Sequence, residues 1–528
     1  MVSDLRDWIK TLETNNLLNR VSRNTDVRDC PKLIYENYNQ ATLFERIEDY
    51  DFPLIANSFS SRQMMSLCLG TDTKDILSEY RSRISKPIPP IFDESGSRRC
   101  QEVSIASNES EVDLTKLPIL LQHEKDGAPY VSAGVLVAKD PETSEYNIGI
   151  YRLMFRQKNE LGINITAPHK LRWFYQKAFE RGKSLEVAVC LGLHALDCLA
   201  AVTSCPEGYD ELSVWGGLQK QPIKMVKCKT LDLSVPAHSE IILESKMDPI
   251  GWSEPEGMYG EFPGTYSGMR KNPVLKVQAI TSRQNPIYQS ATHGTDRLAN
   301  TDFFVLIPQI ELSIQTVLEN AGIEVKQVRI IPESAGMMCY ASIHPRAKGD
   351  SRSAVYLVLS GSRQNFPKYC IIVDSDIDVF DDGAVMWALS TRSQPEEDTI
   401  ILDGIRIPSS SDPSLTGSPP FTMSKLGIDA TTPFGADKER FMHSRPPVFA
   451  PHVHSDKSGT PDSGLVSGIE KKILTKGPMF FYDVVKLFPD ESFRQILLAW
   501  SELRENDRIE QGMDGRYAIR NREPSLSK

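Results

Sequence analysis

The stretch Ser253-Glu254-Pro255-Glu256-Gly257-Met258-Tyr259-Gly260-Glu261-Phe262-Pro263-Gly264 constrains this chain more than any other. Its glycines and prolines impose a tight, non-helical path, because glycine tolerates positive φ and proline locks φ. Glu256 and Glu261 hang from that path. A solvated acidic turn needs no such scaffolding, whereas a positioned proton donor does. Taken by itself, the segment also reads as a plain surface turn.

A second group lies upstream. Asn147-Ile148-Gly149-Ile150-Tyr151-Arg152 is followed by His169, and then by Glu211 within Tyr209-Asp210-Glu211-Leu212-Ser213. One amide, one imidazole and one carboxylate suit a divalent ion of the Mn or Mg type better than a thiolate-bound zinc. Arg152 adds a planar fork for a phosphate or carboxylate. The spacings form no compact metal motif, and a lone histidine is more often structural than a ligand.

At 528 residues the chain exceeds one ordinary core, and about two or three domains are expected. A net charge of −10 argues against a nucleic-acid partner, since phosphates are neutralised by basic stripes. No apolar run approaches the roughly 18 residues of a membrane span. The start, Met1-Val2-Ser3-Asp4-Leu5, lacks the apolar core of a signal peptide. The expectation is a soluble, cytoplasmic protein with no membrane contact. Nine cysteines without CxxC spacing point to reduced, packed thiols.

The fold class read from the pattern is α/β (α+β). Residues 1–100 are expected to form an N-terminal α/β region, opened by an amphipathic helix over 4–17 with Leu5, Trp8, Ile9 and Leu12 on one face. Strand signals dominate 101–300: 131–138, 147–155, 185–191, 240–244, 274–280 and 287–291, with a helix at 169–181 between them. Residues 301–460 read as a C-terminal α/β domain. It comprises a long helix over 302–320, strands at 325–331, 338–343, 354–359 and 369–373, then long loops from 404 to 462. The tail, 461–528, gives three helices and a hairpin around Gly512-Met513-Asp514-Gly515, a winged-helix-like order. Its helix over 492–506 carries Phe493, Ile496, Leu497, Trp500 and Leu503, and a packing or oligomer-contact module is expected there.

Together these segments resemble the UbiD family of prenylated-FMN-dependent decarboxylases. The resemblance rests on Asn147 to Arg152 and Glu256 to Glu261, and on Val226-Lys227-Cys228 with Ser239 to Glu244. It continues through Val373 to Asp378, Trp387 to Arg392 and Gly427 to Thr431, in the family's order. It implies that the middle domain is a flavin-binding split β-barrel. It implies a metal of the Mn2+ or Mg2+ type on Asn147, His169 and Glu211, leaves room for K+, and places the cofactor against Asn147, Ile148, Gly149, Ile150, Tyr151, Arg152, Pro168, His169, Glu211 and Arg363. Lys368 is the rival of Arg363. Glu261, Glu256 and Arg152 are then the catalytic trio, with Glu261 protonating the carbon that loses CO₂ and its pKa raised for that task. Loss of CO₂ from an sp² carbon needs an electron sink that no side chain supplies, so a cofactor must carry it. The substrate class is an aromatic, heteroaromatic or α,β-unsaturated acid, with Phe262, His293, Arg297 and Phe304 as candidate pocket walls. The implied partners are a flavin prenyltransferase that supplies the cofactor and further copies of the chain, as a homodimer or larger. A non-catalytic flavin-binding or assembly subunit is the alternative.

Overall fold

The computed structural model describes residues 4–93, 98–166, 169–205, 209–297, 301–362, 366–406, 412–415, 422–449 and 459–520. These divide into two compact units, Met1–Asp437 and Lys438–Lys528.

The first helix, α1 (Leu5–Thr14), starts at a capping box in which Asp4 accepts from backbone N–H groups and Asp7 answers. It buries Leu5, Trp8, Ile9 and Leu12, the stripe read from the sequence. Strands β1 (Leu18–Thr25), β2 (Ala41–Ile47) and β3 (Leu54–Ala56) follow as a small mixed sheet.

The central sheet comprises β4 (Val103–Ala106), β5 (Tyr130–Val131), β6 (Val135–Lys139), β7 (Tyr146–Ile150), β8 (Leu153–Gln157), β9 (Glu160–Ile163), β10 (Leu185–Leu191), β11 (Ile241–Met247) and β12 (Val274–Ser282). Its spatial order is β5-β8-β9-β12-β11-β10-β6-β7, with β4 on β12. The expected strand over 147–155 is therefore two strands, β7 and β8, that stand near opposite ends of the sheet. Only Tyr151 and Arg152 join them. Three Cα steps span roughly 11 Å at most, so the sheet must curl until its ends nearly meet. That is the split barrel, and Arg152 sits at its seam. Helices α2 (Lys170–Glu180) and α3 (Glu211–Gln219) belong to the same region, and β13 (Tyr288–Ser290) returns to pair with β3.

The expected long helix over 302–320 is a 3-10 turn, Asp302–Leu306, followed by α4 (Ile307–Asn320). Pro308 explains the division, since proline fits a first helical turn and not an interior one. The next sheet contains β14 (Glu324–Ile331), β15 (Met338–His344), β16 (Tyr369–Asp374), β17 (Thr399–Arg406) and β18 (Thr422–Ala430). Their order is β14-β15-β16-β18-β17. Two expectations fail here. Residues 354–359 are not a strand but the core of α5 (Asp350–Ser360), whose Ala354, Val355, Val358 and Leu359 are buried at helical spacing while Tyr356 faces out. Residues 422–430, expected as loop, form an inner strand of this sheet.

The second unit contains α6 (Ser463–Lys476), α7 (Phe481–Leu487), α8 (Phe493–Glu505) and a hairpin of Ile509–Gln511 with Tyr517–Ile519. Met479, between the first two helices, bridges to Tyr517 of the hairpin. The unit has its own core, including Leu465, Ile469, Val484, Ile496, Leu503 and Ile509. All nine cysteines are free, and all but Cys205 are buried. No helix among the described residues is long and apolar enough to cross a membrane.

Candidate active site

The loop singled out by the sequence begins on a short ribbon in which Glu254–Glu256 pairs with Arg270–Asn272. It closes through a Gly260–Tyr266 bridge, and Glu261 N–H donates to the Thr265 carbonyl at 2.8 Å. Gly257 has φ of 109°, and a Cβ on the facing Gly127 would lie 2.1 Å from the Gly257 carbonyl oxygen. Both positions therefore require glycine.

Glu256 and Glu261 meet on Arg152. The guanidinium donates to Glu256 twice, Nε to Oε1 at 2.8 Å and Nη2 to Oε2 at 3.0 Å. Its Nη1 donates to Glu261. The two carboxylates differ in their remaining company. Glu256 is fully buried and also accepts from Tyr130 Oη at 3.0 Å and Asn272 Nδ2 at 3.1 Å. It is a saturated anchor, held as a buried charge must be. Among the described residues Glu261 has one side-chain hydrogen-bond partner, Arg152, and it keeps 17% of its side chain exposed. Burial opposes the charge on Arg152, but Glu261 and Glu256 outweigh it and raise its pKa above the ordinary value. The Tyr259 ring lies 4.8 Å below the guanidinium, a cation–π contact.

Glu211 opens α3, where a helix N-terminus favours an anion. Its Oε2 accepts from Asn147 Nδ2 at 2.9 Å and from the Ile148 N–H at 2.8 Å. Its Oε1 lies 2.9 Å from Lys170 Nζ, which also reaches Glu145. His169 caps α2 without a side-chain capping bond and sets its ring edge-on to Tyr151, with centroids 6.2 Å apart. His169 is itself exposed, and partial desolvation lowers its pKa below the ordinary 6.5, toward the neutral form that ligates metals. The structure thus joins Asn147 to Glu211 directly and places His169 against Tyr151. Among the described residues no three His, Cys, Asp or Glu side chains converge as a metal cluster; the expected set contains only two of those types. The donors present, an amide, a carboxylate and a neutral imidazole, fit a hard divalent ion, and Lys170 supplies positive charge at the same carboxylate.

Gly149 leaves its Cβ space to the Tyr151 ring, 2.7 Å away. Ile148 is buried and Ile150 half-buried on β7. Pro168 and Arg363 lie outside the described residues. Lys368 is bonded to Asp412 at 3.0 Å and Ser414 at 2.7 Å. Of the proposed pocket walls, Phe262 stacks on Phe303 at 5.0 Å and leans on Phe366. His293 is half-buried, and desolvation pushes its pKa down to about 4. Arg297 lies over Tyr35 and Tyr38, and Phe304 under Arg62, so neither joins the Arg152 cluster through these contacts. Sequence reasoning missed Tyr130, Asn272 and Lys170. Lys170 adjoins His169 and was findable; the other two meet Glu256 only through the fold.

The carboxylate–guanidinium–carboxylate cluster thus lies at the seam of a curled split barrel. Three family profiles cover most of the chain: the 3-octaprenyl-4-hydroxybenzoate carboxy-lyase N-terminal domain over residues 9–84, its Rift-related domain over 93–296 and its C-terminal domain over 306–430. The chain belongs to the UbiD family of carboxy-lyases. It is 29% identical over 420 residues to the anhydromevalonate phosphate decarboxylase of Methanothermobacter thermautotrophicus, covering 78% of this chain and 93% of that one. The UbiD-class enzyme HmfF of Pelotomaculum thermopropionicum, solved with FMN, matches with a TM-score of 0.78 and 29% identity over 84% of this chain and 98% of that one. An evolved dimeric form of HmfF was solved with prFMN and matches at a TM-score of 0.74 and 28% identity, over 84% and 97% of the two chains. The vanillic acid decarboxylase ShVdcCD of Sedimentibacter hydroxybenzoicus, in open form, matches at 0.73 and 29% identity, over 90% and 100%.

Proposed function

We propose that this chain decarboxylates an aromatic, heteroaromatic or α,β-unsaturated carboxylic acid with prenylated FMN, and that Glu261 supplies the proton. The observation that carries the reading is the asymmetry around Arg152: Glu256 is saturated by Arg152, Tyr130 and Asn272, whereas Glu261 is held by Arg152. An anchor cannot also move a proton easily, so the roles divide.

Bound prenylated FMN supplies the electron sink that decarboxylation at an sp² carbon requires. Asn147, Glu211 and His169 would hold a Mn2+ or Mg2+ ion against the cofactor phosphate, with Lys170 adding charge, because a phosphate beside a carboxylate needs cations between them. Glu256 fixes the guanidinium plane. The Arg152 edge that carries Glu261 receives the substrate carboxylate while Glu261 holds a proton. The C–C bond to the carboxylate breaks and CO₂ leaves. Glu261 then protonates the carbon, returns to Arg152 as a carboxylate and regains a proton from water. The sum is one acid anion plus one proton giving product and CO₂.

The chain is further proposed to act in the cytoplasm as a homo-oligomer, with the flavin prenyltransferase as its cofactor donor. The test is protein produced with and without that prenyltransferase and offered a panel of unsaturated and aromatic acids. CO₂ release that depends on the prenyltransferase supports the reading. Protein that binds the cofactor and releases none from any acid overturns it in favour of a non-catalytic subunit.

A further inference from the structure

The segment before β5 contains a histidine that the mechanism above does not use. His123 Nε2 lies 2.7 Å from the His293 carbonyl oxygen, and its Nδ1 lies 3.1 Å from Asp126 Oδ2 and 3.2 Å from Oδ1. A carbonyl and a carboxylate both accept, so both ring nitrogens must carry hydrogen. Asp126 in turn accepts from the His123 N–H at 3.0 Å and, through Oδ1, from the Gly260 N–H at 2.9 Å. Gly260 precedes Glu261.

The packing agrees. A Cβ on Gly260 would lie 2.3 Å from His123 Nδ1, and one on Gly294 would lie 2.5 Å from the Gly260 carbonyl. Gly127 N–H donates to the Met258 carbonyl at 2.8 Å. The catalytic loop is therefore gripped between residues 122–127 and 292–294.

We propose that His123 is a positioning residue: as an imidazolium it ties His293 to Asp126, and through Asp126 it fixes the backbone that carries Glu261. Deprotonation leaves one N–H for two acceptors, and one tie must open. The groups facing the ring are Asp126 on its own segment, Tyr259 and Tyr266 edge-on from the loop, with Lys125 over Tyr266, and His293 from the opposite wall. Burial disfavours the imidazolium, but Asp126 and the His293 carbonyl outweigh it and raise the His123 pKa above its ordinary 6.5. Tyr259 is raised by burial and His293 lowered, so neither changes charge in that range. The loop should then loosen on the alkaline side of a free histidine's titration.

This inference rests on the assignment of Glu261 as donor only for its catalytic consequence. The test is hydrogen–deuterium exchange by mass spectrometry on peptides spanning 256–268 of the flavin-loaded full chain, corrected for intrinsic rates, across pH 6 to 9. In the wild type, protection should fall about tenfold as His123 loses its proton, the scale of one charged hydrogen bond. H123Q, with a donor for His293 only, should be unprotected throughout with no step, and H123N, which can reach Asp126, should recover part of the protection. A wild type without a step, or the same step in H123Q, overturns the proposal. Should the variants fail to fold, ring nitrogen NMR of the wild type decides it: both nitrogens protonated at pH 7 supports it, a neutral tautomer overturns it. E261Q separates the two readings. A step that persists in an E261Q enzyme that still turns over retires the donor and keeps the clamp; no step beside an inactive E261Q does the reverse.

Discussion

Arg152 shows how much one side chain decides. It is nearly buried and shared by two carboxylates of unequal status, and substitutions should separate them. Glu256→Gln breaks a fully desolvated, bidentate pair and should cost about 3–5 kcal/mol of stability in urea unfolding. Glu261→Gln, partly exposed and singly held, should cost about 1 kcal/mol or less. Equal losses would contradict the division into anchor and donor. Asp302 offers a pH signature of the same scale. It is fully buried, and burial pushes its carboxyl up to about 7, even though the Phe59 and Thr292 N–H groups donate to it. The unfolded carboxyl ionises near 3.8 while the native one stays protonated, so native stability falls as pH rises from about 4 to 7 and is level above. Other groups titrate in that window, so the check is the difference between wild type and Asp302→Asn: the wild type should lose more stability between pH 4 and 7 than the variant. A variant with the same or steeper loss refutes the assignment.

At the scale of elements, the short link Tyr151-Arg152 turns a strand pair into a barrel seam, and the N-terminus of α3 delivers Glu211 to Asn147. Glu211→Ala should purify with little bound metal and little flavin while retaining its fold by circular dichroism; full occupancy by metal analysis and absorbance would refute the cofactor role. The sequence made much of this legible. Short-range chemistry showed through: the loop glycines and prolines, and the stripe of α1. What stayed hidden depended on contacts remote in the chain. Tyr130 and Asn272 carry no local mark of their bonds to Glu256. The run Ala354 to Leu359 reads as strand because Val355, Tyr356 and Val358 favour β structure, and only its pattern of burial reveals α5. Residues 422–430 lie among segments rich in Ser, Gly and Pro, which obscured a strand whose neighbours β16 and β17 supply its pairing.

At the scale of the whole molecule, the second unit is the addition beyond the three family domains. Its helix α8 divides the apolar stripe expected from sequence: Ile496 and Leu503 enter the unit's own core with Trp500 packed against it, while Phe493 and Leu497 remain 52% and 44% exposed. Phe493 and Leu497 are the exposed apolar side chains through which a self-association contact is proposed to form. Truncation at residue 460 should lower the number of chains per particle measured by light scattering while the first unit stays folded; an unchanged number would refute the tail's part in assembly. The claim on which the account turns, however, is the proton. The direct measurement is exchange of the decarboxylated product's vinylic or ring hydrogen with D₂O, catalysed by cofactor-loaded wild type and Glu261→Gln. General acid catalysis is worth about 10²–10⁴ in rate, so exchange should fall by at least that order in the variant with flavin still bound. Exchange at the wild-type rate in Glu261→Gln would show that another group carries the proton.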